Sequence, residues 1–408
     1  MSEYQLYTLP NGIRVAHKFV SNTKIAHCGI MLDIGSRDEK PHQAGLAHFW
    51  EHMAFKGTQK RKAYHIINSL EAVGGELNAY TTKEKICFYA SVLDTHFEKA
   101  VDLLSDIAFN SIFPEKQLEV ERGVILEEMS MYLDSPEDAI QDEFDAIVFP
   151  QHQLGVNILG TQESVKGFKR EDFLNFISEN LDTDKVILSV VGNLEAKKVR
   201  RMAEKYLGDI KHKNTQRIRL TPEKYFTQNQ VLEKNNNQAH VAIGRQAYAM
   251  HHKNRLPFFA LVNLLGGPGM NSRFNLTLRE KYGLVYQIEA NYTSFSDTGF
   301  FGIFFGTDPQ NLNKSLKLVK KELEILKERK MGDVQIRTLK EQLKGQLAMA
   351  EESNQGFMLM MAKSILDLGK VETLGQIFHE IDEITPTVLQ DLANEMFDNE
   401  VLSQLIYK

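Results

Sequence analysis

The chain has 408 residues, 42% hydrophobic and 25% charged, enough for two domains of ordinary size that each bury a core. Its net charge of −6 gives no reason to expect nucleic acid or an anionic membrane surface as a partner. The segment Met1 to Gly12 lacks a charged region followed by an apolar one, so no signal peptide, transit peptide or membrane span is expected and the natural reading is cytoplasmic.

In chain order, strand-like patterns at 14–19 and 26–34 precede Gly45-Leu46-Ala47-His48-Phe49-Trp50-Glu51-His52. If this segment is helical, His48 and His52 lie one turn apart on one face and can clasp a metal ion, with Glu51 beside them. This is the H-x-x-E-H arrangement of the inverted zinc peptidases; the bland alternative is a helix whose histidines cap or pack. A helix pattern at 64–73, alternation at 76–80, a strand at 86–93 and a helix at 98–110 follow. Residues 115–132 read as a carboxylate-rich helix. Glu121 and Glu128 stand seven apart and nearly superimpose along one stripe, which Val124 and Ile125 are expected to turn inward. Alone, a Glu-rich helix is usually a solvated face. Beside two histidines that still need a third ligand, a distant carboxylate becomes the candidate.

A helix at 170–180 and a strand at 186–192 close the first half, and the polar, Pro-containing stretch 211–230 reads as a connector. Strands at 228–233 and 239–247 open the second half, which is expected to end in long helices from about Met331. Gly266-Gly267-Pro268-Gly269 reads as a tight turn, because no Gly-Lys-Ser/Thr follows to make a phosphate site. Cys28 and Cys87 fall in apolar strand patterns and are expected to be reduced core residues.

The two halves align with one shift of 212 residues, which sets Tyr80-Thr81 on Tyr292-Thr293 and Phe88-Tyr89-Ala90 on Phe300-Phe301-Gly302. Two long similar units imply two domains of one fold, expected at 1–212 and 213–408, of α+β class with strands covered by helices. The same shift places Ala260, Asn263, Leu264 and Lys340 where the first half has His48, Glu51, His52 and Glu128. The second copy has lost the metal site.

These motifs carry a family resemblance. The chain resembles the M16 metallopeptidases, the pitrilysin, insulysin and mitochondrial-processing-peptidase family. His48, Glu51 and His52 match its motif, and E-R-x-x-x-x-x-E falls on Glu121, Arg122 and Glu128, 76 residues beyond His52. Flanking agreement at Gly35–Glu39, Phe55–Thr58 and Leu77–Thr81 extends it, and Trp50 stands where an aliphatic residue is more usual. The resemblance implies two related domains, each a mostly antiparallel sheet covered by helices. It implies one Zn²⁺ per chain on His48, His52 and Glu128, with Glu51 as general base and Glu121 holding a ligand imidazole. Asn78, Ala79 and Tyr80 would form the edge on which an extended peptide pairs. Arg279 and Tyr286 match an Arg/Tyr pair that completes the active site by stabilising the oxyanion.

Single-chain members carry four such domains, with zinc in the first and the Arg/Tyr pair in the fourth. A chain of two therefore implies a closed homodimer acting in trans, with a heterodimer as competitor. The expected activity is a zinc endopeptidase acting on small or unfolded peptides within a closed chamber. A processing peptidase for one precursor and a non-catalytic scaffold are the alternatives.

Overall fold

The computed structural model describes residues 4–234 and 236–408. The first half supplies β1 (Gln5–Thr8), β2 (Arg14–Phe19), β3 (Ile25–Leu32), α1 (Leu46–Ala54), α2 (Ala63–Glu71), β4 (Glu76–Thr81), β5 (Ile86–Leu93), α3 (Phe97–Phe109) and α4 (Glu115–Leu133). It continues through α5 (Pro136–Val148), α6 (Gln162–Gly167), α7 (Arg170–Asn180), β6 (Val186–Gly192) and α8 (Ala196–Leu207). The second half runs β7 (Asn229–Leu232), β8 (Ala239–Ala247), α9 (Arg255–Gly266), β9 (Ile288–Ser294), β10 (Gly299–Thr307) and α10 (Leu312–Glu328). Then come α11 (Asp333–Glu351), α12 (Asn354–Leu368), α13 (Leu374–Glu383), α14 (Pro386–Met396) and β11 (Ser403–Tyr407).

The fold is α+β with two sheets, ordered β1-β2-β6-β3-β5-β4 and β7-β11-β8-β10-β9. Apart from the extra β1, the orders correspond strand for strand. Among the described residues the single parallel pair of the first sheet, β2 with β6, recurs as β7 with β11, and every other strand pairing is antiparallel. The duplication read at a shift of 212 is thus one of strand order and not of residue register: Tyr80 pairs with Cys87, but Tyr292 pairs with Phe301 rather than with Gly299. β4 and β9 occupy the same edge of their sheets.

Central strands are apolar on both faces because both faces are covered. In β10, Phe301, Ile303 and Phe305 join the cluster formed with α9, α10 and α14, whereas the alternate residues Phe300 and Phe304 meet Phe144 of α5. In the first sheet, Met31, Cys87, Ile187 and Val191 pack against Phe357, Met358, Met361 and Ile365 of α12. On the opposite face Phe88 meets Trp50 of α1. Both cysteines are free and wholly buried, and burial pushes the Cys28 thiol up to about 12.

The chain forms two compact units that are not its contiguous halves. One comprises 4–129, 156–219 and 349–371, the other 130–155, 220–348 and 372–408. Relative to halves divided at 212/213, α5 belongs with the second sheet and α12 with the first. The chain also ends in strand β11 rather than in helix, and Leu405 and Ile406 contribute to opposite faces of the second core. The stretch 211–228 has no regular structure, as its composition implied. It is held by Arg217 and Arg219, whose guanidinium groups pair with Asp33 and Asp38. Among the described residues no helix is long and apolar enough to cross a membrane.

Candidate metal centre

α1 is helical for its pattern: Leu46, Ala47, Phe49, Trp50, Met53 and Ala54 are buried, and only His48, Glu51 and His52 share the remaining face. Trp50 points into the core against Phe88 and Phe176, so the bulky residue inside the motif leaves the polar face untouched. The helix starts at Gly45 with φ +94°, where a Cβ would collide with the Leu159 carbonyl. The carboxyl group of Glu39, 3% exposed, accepts from the N–H groups of Gly45 (3.0 Å) and Ala47 (2.7 Å), so the turn that carries His48 is fixed at its root.

α4 brings the carboxylates. Glu128 Oε2 lies 3.8 Å from His48 Nε2 and 3.5 Å from His52 Nε2, and one ligand atom from each of the three side chains falls within 4.8 Å of the others. Bonds of about 2.0–2.1 Å in tetrahedral geometry put ligand atoms roughly 3.4 Å apart, so this triad fits a zinc-sized ion with little adjustment. Among the described residues it is the one His/Cys/Asp/Glu group so disposed. Glu127 is exposed and outside it, as the 100° step per residue requires. The expectation that Val124 and Ile125 both turn inward is half right: Ile125 is fully buried, but Val124 is 47% exposed. Residue 124 is one turn before Glu128 and shares its open side.

Glu121, 4% exposed, accepts from His52 Nδ1 at 3.2 Å and pairs with Lys56 Nζ at 2.6 Å. Since a carboxylate only accepts, Nδ1 donates to Glu121, which leaves Nε2, on the Glu128 side, as the nitrogen able to ligate a metal. Burial works to raise the Glu121 carboxyl, but the bonds from His52 and Lys56 win and hold it below its ordinary value. Burial lowers His48 to about 3, with His52 adding to the effect, so the ring is neutral and able to bind a metal across the physiological range. Its Nδ1 is buried with no hydrogen-bond partner among the described residues, where only His52 of the two is oriented from behind. Burial raises Glu51, against a hydrogen bond from Thr81, and raises Glu128, against the attraction of His52.

Of the expected substrate residues, Asn78, Ala79 and Tyr80 do lie on an edge strand, β4. The Tyr80 ring, however, turns to the α12 side and meets Tyr89, so only its backbone faces outward along the edge. Arg279 and Tyr286 come together within the second unit, the guanidinium 5.6 Å from the ring centre, and Tyr286 is 84% exposed. Arg279 belongs to a π-helical segment, Asn275–Lys281.

Sequence reasoning overlooked four contributors: Glu39, Lys56, Thr81 and the anchoring role of Arg122. Arg122 donates to the carbonyls of Val165 and Phe168 and lies over the Phe49 ring, tying α4 to α1. Glu39, Lys56 and Thr81 sit inside the flanking motifs, which mark their segments without assigning these residues a role.

Residues 14–162 match the profile described as Insulinase (Peptidase family M16), and residues 167–343 match the Peptidase M16 inactive domain. The chain is 33% identical over 400 residues to the uncharacterized zinc protease YmxG of Bacillus subtilis, covering 98% of this chain and 97% of that one. It is also 33% identical over 396 residues to an uncharacterized zinc protease of Streptomyces coelicolor, covering 95% and 86%. Its fold matches that of a protease from Helicobacter pylori with a TM-score of 0.91 at 22% identity, over 99% of each chain. By class the protein is a metallopeptidase. The chain belongs to peptidase family M16.

Proposed function

We propose that this protein is a zinc endopeptidase that binds one ion per chain through His48, His52 and Glu128. The observation that carries the reading is the convergence of these three side chains, from two helices, onto a zinc-sized space on the face of α1 that also bears Glu51. The zinc-protease names of its relatives support the choice of metal. Bound zinc supplies a Lewis acid for polarising water and the scissile carbonyl. Glu51 accepts the proton of the attacking water and delivers it to the leaving amine. Glu121 holds His52 in the ligating tautomer, with Lys56 keeping that carboxylate ionised.

The substrate is an extended peptide paired with β4 along Asn78, Ala79 and Tyr80, its selectivity low because backbone groups do most of the binding. Arg279 and Tyr286 stabilise the developing oxyanion; the exposure of Tyr286 suits a group that meets substrate from outside its own unit. We place these two in trans, from a second copy of the chain in a homodimer that closes around small or unfolded peptides. A peptidase that trims one precursor is the second reading.

The decisive experiment is Glu51→Gln. The variant is expected to keep zinc and fold while losing hydrolysis of a quenched peptide by about 10³-fold or more. Near-normal turnover would remove Glu51 as base. For the trans arrangement, inactive Glu51→Gln and Tyr286→Phe chains are mixed under subunit exchange. Recovery of about a quarter of wild-type activity is expected from random reassortment, and none would defeat the shared site.

A further inference from the structure

Edge strand β4 does more than lie beside the metal helix. Its side chains alternate: Asn78 and Tyr80 stand opposite Tyr89 and Cys87 on the α12 face, while Ala79 and Thr81 stand opposite Phe88 and Ile86 on the α1 face. Thr81 therefore reaches α1, and its Oγ1 donates to Glu51 Oε2 at 2.5 Å. Among the described residues this is the one hydrogen bond to the Glu51 side chain. A glutamate carboxylate turns freely about its last torsion, which has broad, two-fold wells. One oxygen tied to β4 stops that rotation and leaves the other, Oε1, as the oxygen offered to the site.

We propose that Thr81 is a positioning residue for the reaction: its hydroxyl locks the Glu51 carboxylate in the orientation that takes the proton, and links it to the strand on which substrate pairs. The proposal rests on the reading of Glu51 as general base. Because the donor belongs to the strand that seats the peptide, the angle between base and substrate is set by one rigid element rather than by two independent ones. Near-attack geometry is where such constraint matters most.

The test compares Thr81→Val, which keeps the branched shape and removes the donor, with Thr81→Ser, which keeps the donor and loses the methyl, each in wild-type and Glu51→Gln backgrounds. Zinc content and chelator competition are measured beside kcat and KM. For Thr81→Val, kcat is expected to fall about ten- to a hundred-fold, part of what a positioned general base contributes. KM should stay within about two-fold and zinc content should not change, while Thr81→Ser restores kcat. In the Glu51→Gln background, Thr81→Val is expected to add nothing, because there is no base left to orient. An unchanged kcat in a folded, zinc-loaded Thr81→Val overturns the proposal. So does a loss that Ser fails to rescue, or one confined to KM, which marks a strand-packing role. Should Thr81→Val fail to fold, Thr81→Ala against Thr81→Ser gives the same contrast. If Glu51→Gln itself retains turnover, the functional reading fails first and is recognised as such.

Discussion

The two sheets share a strand order but not a chemistry. At the positions of His48, Glu51, His52 and Glu128, the second half carries Ala260, Asn263, Leu264 and Lys340. Ala260 is fully buried, Asn263 is 9% exposed, and Leu264 packs against the apolar core. Lys340 donates to the carbonyl of Asp382. One frame thus tolerates either a polar cluster or a packed face at the same helix. The polar cluster is the expensive choice, since each buried histidine or carboxylate needs a partner or a metal. Its presence in only one copy separates what the fold requires from what the chemistry requires.

The sharpest way to break this comparison is to convert the first site into the second. His52→Leu and Glu128→Lys, singly, are expected to abolish stoichiometric zinc and lower hydrolysis by about 10³-fold or more, with both chains still folded. Zinc content by elemental analysis, read with peptide cleavage and circular dichroism, decides it; a zinc-replete Glu128→Lys enzyme would mean the ligand set is wrong. The frames themselves are compared next. Phe144→Ala on α5 should destabilise the second core by about 3–5 kcal/mol, and Met361→Ala on α12 the first by about 2–5 kcal/mol, by urea unfolding. A loss below about 1 kcal/mol at either would show that helix to be peripheral to its sheet.

A smaller effect belongs to the support behind the ligands. Glu121→Gln should weaken zinc about 10–100-fold in chelator competition, because His52 loses its charged acceptor. Unaltered affinity would show that Lys56 and Glu121 serve only packing.

The subtlest contrast concerns how α1 and α9 begin. α9 has Asn254 at its N-cap without a side-chain cap bond, whereas α1 has the buried Glu39. Burial lifts the Glu39 carboxyl to about 8, against the Ala47 and Gly45 N–H bonds and Lys83, with Asp38 adding to the rise. The fold thus favours the protonated form, so this group's contribution to stability falls as pH rises from its ordinary 4.5 through about 8 and is flat above. The difference in unfolding free energy between wild type and Glu39→Gln should decline across that window. A difference independent of pH would mean the carboxyl does not titrate there.

Much of this was legible beforehand, for identifiable reasons. Helix α1 could be read because its apolar residues leave one face, and that face holds a ligand pattern with few other uses. The duplication was legible because both copies keep an edge strand followed by an aromatic-rich strand, although the Tyr-Thr match holds in sequence and not in strand register. The ending in β11 was missed because five residues bearing one strand's worth of apolar side chains follow three amphipathic helices and carry no period of their own. α5 was passed over although Ser135-Pro136-Glu137-Asp138 is a plain helix start; its apolar residues looked surplus because the sheet they cover lies a hundred residues on. Thr81 was invisible as a functional group because a threonine at a strand end has an ordinary structural use, and only the short distance to Glu51 gives it another.

The exchanged helices have a consequence for how the protein is made. The last strand of the first sheet, β6, is complete at Gly192, but the helix that covers one of its faces does not end until Leu368, 176 residues later. At about 5–20 residues per second, the ribosome leaves Met31, Cys87, Ile187 and Val191 without their cover for roughly 10–35 s. During that interval the nascent chain presents a ready apolar surface to chaperones, and a chain cut short before α12 leaves that face of the first sheet uncovered.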